Sequence, residues 1–412
     1  VLTRFFYICD PKIYLMTFLY KPTLLLFSTL LIVTSCGKKD KKNSFFTADE
    51  PVDTFVKFTA FAPEKVKPKQ LNHKKNKIEH FYNKIWSPKS NSTISFLVAE
   101  KGKIIFEDYQ GFSNKKEDEK ITKNTALHVA SVSKVITAAA ILKLVDAEKI
   151  TLDQEVRTIL KDFPYADITV ENLLNHRSGM QNYAYVVDDR KIWNHRNTLT
   201  NQDILDVFNK NKTKLASKPN TRFAYCNTNY AVLALIIEKI TGLPYPQAME
   251  RMIFKPLDMT NTFVFDVTKD KELVSVSYKN NYQIVPYDYL DGIYGDKNIY
   301  STPRDLLKFD LATQGPDFLS KALVEKMTKG YSYESKGIRN YGLGLRIIEW
   351  ESGERFYYHN GWWHGNTSSY VSLKKEGVTM IAISNKYSPK PYEIRKLSAL
   401  FGDYPFTLDH KD

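Results

Sequence analysis

A serine followed three residues later by a lysine places a nucleophile and a proton acceptor on one face of a helix, one turn apart. In HVASVSKVITAAA that pair is Ser131 and Lys134. Ser35, Ser113 and Ser372 also have lysine at i+3, but their settings separate them. Ser35 lies in an apolar leader, Ser113 in the charged SNKKEDEK, and Ser372 in a strand-like run where i and i+3 project to opposite faces. Ser131 alone opens a segment, continuing through Asp146, that is apolar on nearly every face and so reads as a buried helix. Free N–H groups at its start would favour a developing oxyanion, and burial would lower the lysine pKa toward the range of a working base. In isolation the same pair more often describes a serine N-cap with a snorkelling lysine.

A second candidate is YYHNGWWHGN, Tyr357 to Asn366. A metal site there fails on geometry: in a strand His359 and His364 are an odd number of positions apart and project to opposite faces, and no carboxylate or cysteine cluster completes a ligand set. Trp362 and Trp363 are equally core or rim aromatics and substrate contacts. His176 in NHRSG reads as a structural histidine at a helix end. Tyr225 and Asn227, around Cys226, would by themselves be a turn aromatic and an Asx turn. Cys226 reads as a buried structural thiol, because no histidine is evident to activate it.

The elements that must position these groups are legible in outline. ISFLVAEKGKIIFEDY, Ile94 to Tyr109, is a hairpin signal around EKGK. A helical middle follows, with Thr169 capping VENLLNHRSG, Gly179 as its stop, and Thr302, Pro303 and Asp305 opening a further helix. After about Tyr341 come four strand-like runs and an amphipathic end, YEIRKLSALF. Strands at both ends imply one antiparallel sheet flanked by helices, with the helical middle inserted beside it: an α/β (α+β) fold whose site lies in the crevice between them.

With 412 residues, 43% of them hydrophobic, the chain can bury a sizeable core. Its net charge of +13 is spread along the chain, and no nucleic-acid motif accompanies it. Residues 1–36 read as an export signal: a start at Met16 that would leave 1–15 untranslated, Lys21, the apolar run TLLLFSTLLIV, and VTSC ending at Cys36. That run is short for a membrane span. Residues 37–79 read as a basic tether, 80–403 as the folded domain and 404–412 as a tail. With Cys9, Cys36 and Cys226 the only cysteines, a disulfide framework is excluded.

The blocks AEKGKIIFEDYQGFSN, HVASVSKVITAAAILKLVDAEKITLD and ITVENLLNHRSGMQNY resemble the serine β-lactamase and penicillin-binding superfamily, in its class C and D-alanyl-D-alanine carboxypeptidase-like branch. NTRFAYCNTNYAVLALIIEKITGLPYPQAMERMIFKPLDMTNTFVF and GDKNIYSTPRDLLKF extend the likeness over about residues 80–400 in the family's order. The resemblance implies an acyl-enzyme on Ser131. Lys134 and Tyr225 would share the proton traffic, and Asn227 would bond the substrate amide and help hold Lys134. His359, Asn360 and Gly361 stand where the family has Lys or His, any residue, then Gly. Gly361 would let substrate lie against the strand, and the N–H of Trp362 would join that of Ser131 in an oxyanion hole. His359 replaces a fixed cation by a group whose ordinary pKa is about 6.5. VTSC resembles a lipobox, which implies a lipidated Cys36, membrane anchoring and a periplasmic or surface location. No cofactor or metal is implied. The substrate would be a small peptide, ester or β-lactam, foremost a D-amino-acid peptide from peptidoglycan. Esterase, D-aminopeptidase and weak β-lactamase activity stay open, as does a non-catalytic penicillin-binding sensor.

Overall fold

The computed structural model describes residues 68–87, 91–315 and 317–408. The export signal, Cys36, most of the tether and residues 409–412 lie outside them. The tether ends earlier than its composition suggests. Helix α1, Pro68–Ile85, already belongs to the folded body, because Ile78, Phe81, Tyr82 and Ile85 share a core cluster with the sheet.

That sheet has seven antiparallel strands: β1 Ile94–Glu100, β2 Lys103–Gln110, β3 Arg339–Tyr341, β4 Arg346–Glu349, β5 Arg355–Trp363, β6 Asn366–Leu373 and β7 Val378–Ser384. Their order is β2-β1-β7-β6-β5-β4-β3, so the first and last strands in sequence meet where β1 pairs β7, Phe96 opposite Ala382. Every residue of β1, β6 and β7 is buried, which follows from covering both faces. Alternation assigns each side chain a layer: Phe96, Val98, Val378 and Met380 face α1 and the C-terminal 3₁₀ segment Lys390–Leu400, while Leu97, Ala99, Ile381 and Ile383 face the helical region. The amphipathic C-terminal segment winds as 3₁₀.

Helix α2, Ser133–Asp146, runs through the main core with eleven of its fourteen residues buried, as its uniform apolarity requires. Thr169 caps α3, Val170–Leu174, through a capping box with Asn172. This helix stops at Leu174 with Asn175 as its C-cap, well before Gly179. Gly179 instead serves a close approach, since a Cβ there would lie 2.0 Å from the Ser217 carbonyl oxygen. Helix α4, Asn227–Thr241, starts directly after Cys226, and Thr302 caps α5, Pro303–Gln314, by accepting the Asp305 N–H.

Candidate active site

Ser131 lies in a single 3₁₀ turn, Ala130–Val132, that leads into α2. The turn is strained: Ala130 has φ +48°, a left-handed conformation unfavourable for any residue with a Cβ. Its neighbours over-determine it. The Val129 N–H donates to the Ile299 carbonyl at 2.9 Å, Ser368 Oγ donates to the Val129 carbonyl at 2.6 Å, and the Ala130 N–H donates to His128 Nδ1 at 3.0 Å. His128 is buried, and desolvation pushes its pKa down to about 4, so the ring stays neutral with a free lone pair on Nδ1. Its Nε2 then donates to Asn298 Oδ1 at 3.1 Å.

Lys134 is fully buried, and its Nζ lies 3.0 Å from Ser131 Oγ. The second partner of that amine is the Asp296 carbonyl, at 2.7 Å. The support expected from Asn227 therefore comes from a different segment. Asn227 stands at the start of α4 with a buried Oδ1 that has no hydrogen-bond partner among the described residues. Asp296 is fixed in turn by Tyr183, whose hydroxyl donates to Asp296 Oδ2 at 2.9 Å, and by Lys297, whose Nζ is 3.6 Å from Oδ1.

Tyr225 reaches the same place from the loop before α4. The Lys134 amine lies 5.1 Å from its ring centre and the Arg346 guanidinium carbon 4.7 Å. His176 holds the loop on both sides of the tyrosine: its carbonyl accepts the Ala224 N–H at 3.0 Å and its Nδ1 accepts the Cys226 N–H at 3.2 Å. The His176 ring lies 4.4 Å from that of Tyr225. Burial first, then the Lys134 charge, keeps His176 neutral, well below the usual histidine range. The structural part read for His176 is thus specific, a cradle for Tyr225. Cys226 is buried, and desolvation raises its thiol pKa, which removes it as a nucleophile.

On β5, His359 and Gly361 face the Ser131 turn, while Trp362 projects to the other side and is 63% exposed. Strand β4 pairs β5 only over Arg355–Tyr358, so residues 359–363 have no strand partner on that side. Gly361 also meets a close approach inside the fold. A Cβ there would sit 2.4 Å from the Val129 carbonyl oxygen and 2.3 Å from Ser368 Oγ, so the strand presses on the turn that carries Ser131. Gly361→Ala is expected to push β5 and this turn apart, lowering kcat/KM about 100-fold and stability by about 1–3 kcal/mol, the usual cost of overpacking. Steady-state kinetics and thermal melting check both.

His359 is fully buried between Tyr341, whose hydroxyl donates to Nε2 at 3.1 Å, and the Asn360 carbonyl, which accepts from Nδ1 at 2.9 Å. Desolvation, then the charges of Arg346 and Lys134, hold its pKa well below the ordinary value. The imidazole is neutral, and the charge nearest Tyr225 on this side is the Arg346 guanidinium, which has no carboxylate partner among the described residues. Since protonation of His359 is displaced to lower pH, kcat/KM should stay level as pH falls from 7.5 to 6. A loss of activity with a midpoint near 6.5 would show a histidine titrating in its ordinary range.

His364, in the turn after β5, pairs with Asp291, its Nε2 being 3.0 Å from both carboxylate oxygens, and the Trp363 indole N–H donates to the same carboxylate at 2.7 Å. Asp288, Asp291 and His364 do converge, a grouping that the spacing of the two histidines hides. Asp291 is already engaged by Trp363, His364 and the Asp288 N–H, which explains the cluster as a brace for the turn.

This arrangement has a serine on a strained turn, a buried amine at hydrogen-bond distance and an unpaired strand edge alongside. The β-lactamase family profile matches residues 85–401. The chain belongs to the β-lactamase family. It is 30% identical over 334 residues to penicillin-binding protein 4* of Bacillus subtilis (strain 168), a match covering 76% of this chain and 72% of that protein. It is 27% identical over 282 residues to teichoic acid D-alanine hydrolase of Staphylococcus aureus, covering 66% and 68%. The crystal structure of a penicillin binding protein from Bacillus halodurans shares the fold, with a TM-score of 0.68 at 22% identity over 80% of this chain and 99% of that one. As a β-lactamase-family enzyme the chain is a serine hydrolase, and Ser131 and Lys134 have a geometry compatible with that chemistry.

Proposed function

We propose that the protein hydrolyses cell-wall-type D-amino-acid peptides as a D,D-carboxypeptidase, through an acyl-enzyme on Ser131. The observation that carries this reading is the 3.0 Å contact between Lys134 Nζ and Ser131 Oγ inside the core. As Oγ attacks the scissile carbonyl, its proton passes to the Lys134–Tyr225 pair and then to the leaving amine. Water reverses the sequence and frees the acid. The main-chain N–H groups of Ser131 and Trp362 would receive the oxyanion, and by the family resemblance Asn227 would bond the substrate amide.

Arg346 favours a substrate with a free carboxylate, as a D-Ala-D-Ala peptide has on its leaving residue. The relatives named for penicillin binding and for D-alanine hydrolysis support the D-amino-acid preference. The lipobox-like VTSC supports action from a membrane anchor at Cys36. The test offers the enzyme D-Ala-D-Ala and L-Ala-L-Ala peptides, a D-alanyl ester, a short aryl ester and a labelled β-lactam. Preferential turnover of the D,D-peptide and mass-spectrometric trapping of the acyl group on Ser131 are expected. Faster turnover of the D-alanyl ester, whose α-ammonium Arg346 would repel, would assign an esterase instead.

A further inference from the structure

Three lysine amines converge where the segment after β7 passes the end of α1. Lys115 Nζ and Lys386 Nζ lie 4.2 and 4.1 Å from the centre of one ring, that of Tyr282. Lys386 and Lys390 line a cavity of about 150 Å³ together with Asn280, Tyr387 and Ser388, and among the described residues no carboxylate lines it. Among the described residues the Lys386 and Lys390 amines donate to main-chain carbonyls, Lys386 to Asn91 at 2.8 Å and Lys390 to Ile85 at 2.7 Å. Among the described residues none of the three has an ion-pair partner. Burial, then repulsion from Lys115 and Lys390, lowers the Lys386 pKa, the mark of like charges held together without neutralisation.

Beside the cavity Tyr387 meets Trp362, ring centres 6.3 Å apart, and the Trp362 indole is fixed by its N–H bond to the His364 carbonyl at 3.0 Å. An exposed aromatic pair thus links the cationic cavity to the strand that borders the catalytic serine.

We infer that this cavity is a phosphate-binding site, taking a phosphodiester of an extended anionic polymer whose next units lie over Tyr387 and Trp362 toward β5. Concentrated ammonium groups with amide and hydroxyl donors suit a phosphate oxygen cluster, and aromatic faces suit the polyol carbons between phosphates. The site goes beyond the hydrolytic reading and does not depend on it, because it is read by binding.

The test titrates the full chain, expressed with Cys36→Ala so that no lipid is attached, with inorganic phosphate, with poly(glycerol phosphate) free of D-alanine, and with phosphatidylglycerol–phosphatidylcholine vesicles. Saturable polymer binding is expected, weakening as salt rises and falling at least about tenfold in Lys386→Gln/Lys390→Gln, with small-ester turnover unchanged. Lys386→Arg/Lys390→Arg should retain the binding, which separates lost charge from lost fold. Inorganic phosphate competing as tightly, per phosphate, would keep the phosphate site and assign it to the free ion. Undiminished polymer binding by the glutamine variant, binding to vesicles alone, or no saturable binding of phosphate or polymer would overturn the inference.

Discussion

Lys134→Met is expected to lower kcat/KM by about 10³- to 10⁴-fold while the protein stays folded. The Lys134 amine is the group on Ser131 Oγ, at 3.0 Å, and it is held by one further bond, to the Asp296 carbonyl. Methionine fills the same buried channel but can neither take the serine proton nor return it, and loss of a positioned acid–base group costs a factor of this order. The effect on stability is smaller because two terms oppose. The Asp296 carbonyl loses its donor, at about 1–3 kcal/mol, but the core no longer has to hold an amine in a dry site. The Tyr183–Asp296–Lys297 contacts remain to keep the segment in place. The measurement is single-turnover acylation by a labelled β-lactam beside a thermal melt. Near-normal acylation in this variant would assign the base to Tyr225, and a collapsed melt would mean that Lys134 serves folding first.

How much of this site is legible in the sequence depends on the range of the interaction involved. The Ser131–Lys134 pair is local: its spacing is one helical turn, and the apolarity of α2 on all faces forces it into the core, so residue types alone bring it out. The β1–β7 pairing follows from strand patterns at the two ends, because all-buried runs need both faces covered. What sequence leaves out is set by contacts across the fold. Asp296 acts through its main chain, which no side-chain pattern reports. His176 is visible in NHRSG as a structural histidine, but its hold on residues 224–226 depends on how α3 meets the loop before α4. Gly361 is marked by the motif, yet that the Val129 turn presses on it from within the fold follows only from the tertiary packing. Arg346 has no motif at all. It matters only because the registers of β3, β4 and β5 set its strand position between Tyr341 and Tyr358 and bring its guanidinium over Tyr225.

Arg346→Gln should therefore separate substrates by charge. With His359 neutral, Arg346 is the fixed positive charge beside Tyr225 on the strand side of the site. A charge-assisted bond from a guanidinium to a substrate carboxylate contributes about 1.5–3 kcal/mol, so kcat/KM for a D,D-peptide should fall about 10- to 100-fold, mostly in KM. An aryl ester without a carboxylate should change by less than about threefold, because it forfeits only the stacking on Tyr225. A second readout follows from the pKa order. The Arg346 charge is, after burial, the main influence holding the His359 imidazole below its ordinary range. Its removal stabilises the imidazolium, so any loss of activity on acidification should begin at higher pH in the variant than in the wild type. Arg346→Lys keeps the charge but not the planar fork, and should retain the pH behaviour while recovering only part of the peptide activity. Equal losses on peptide and ester would mean that Arg346 acts by placing Tyr225, because a carboxylate receptor cannot slow a substrate that has no carboxylate.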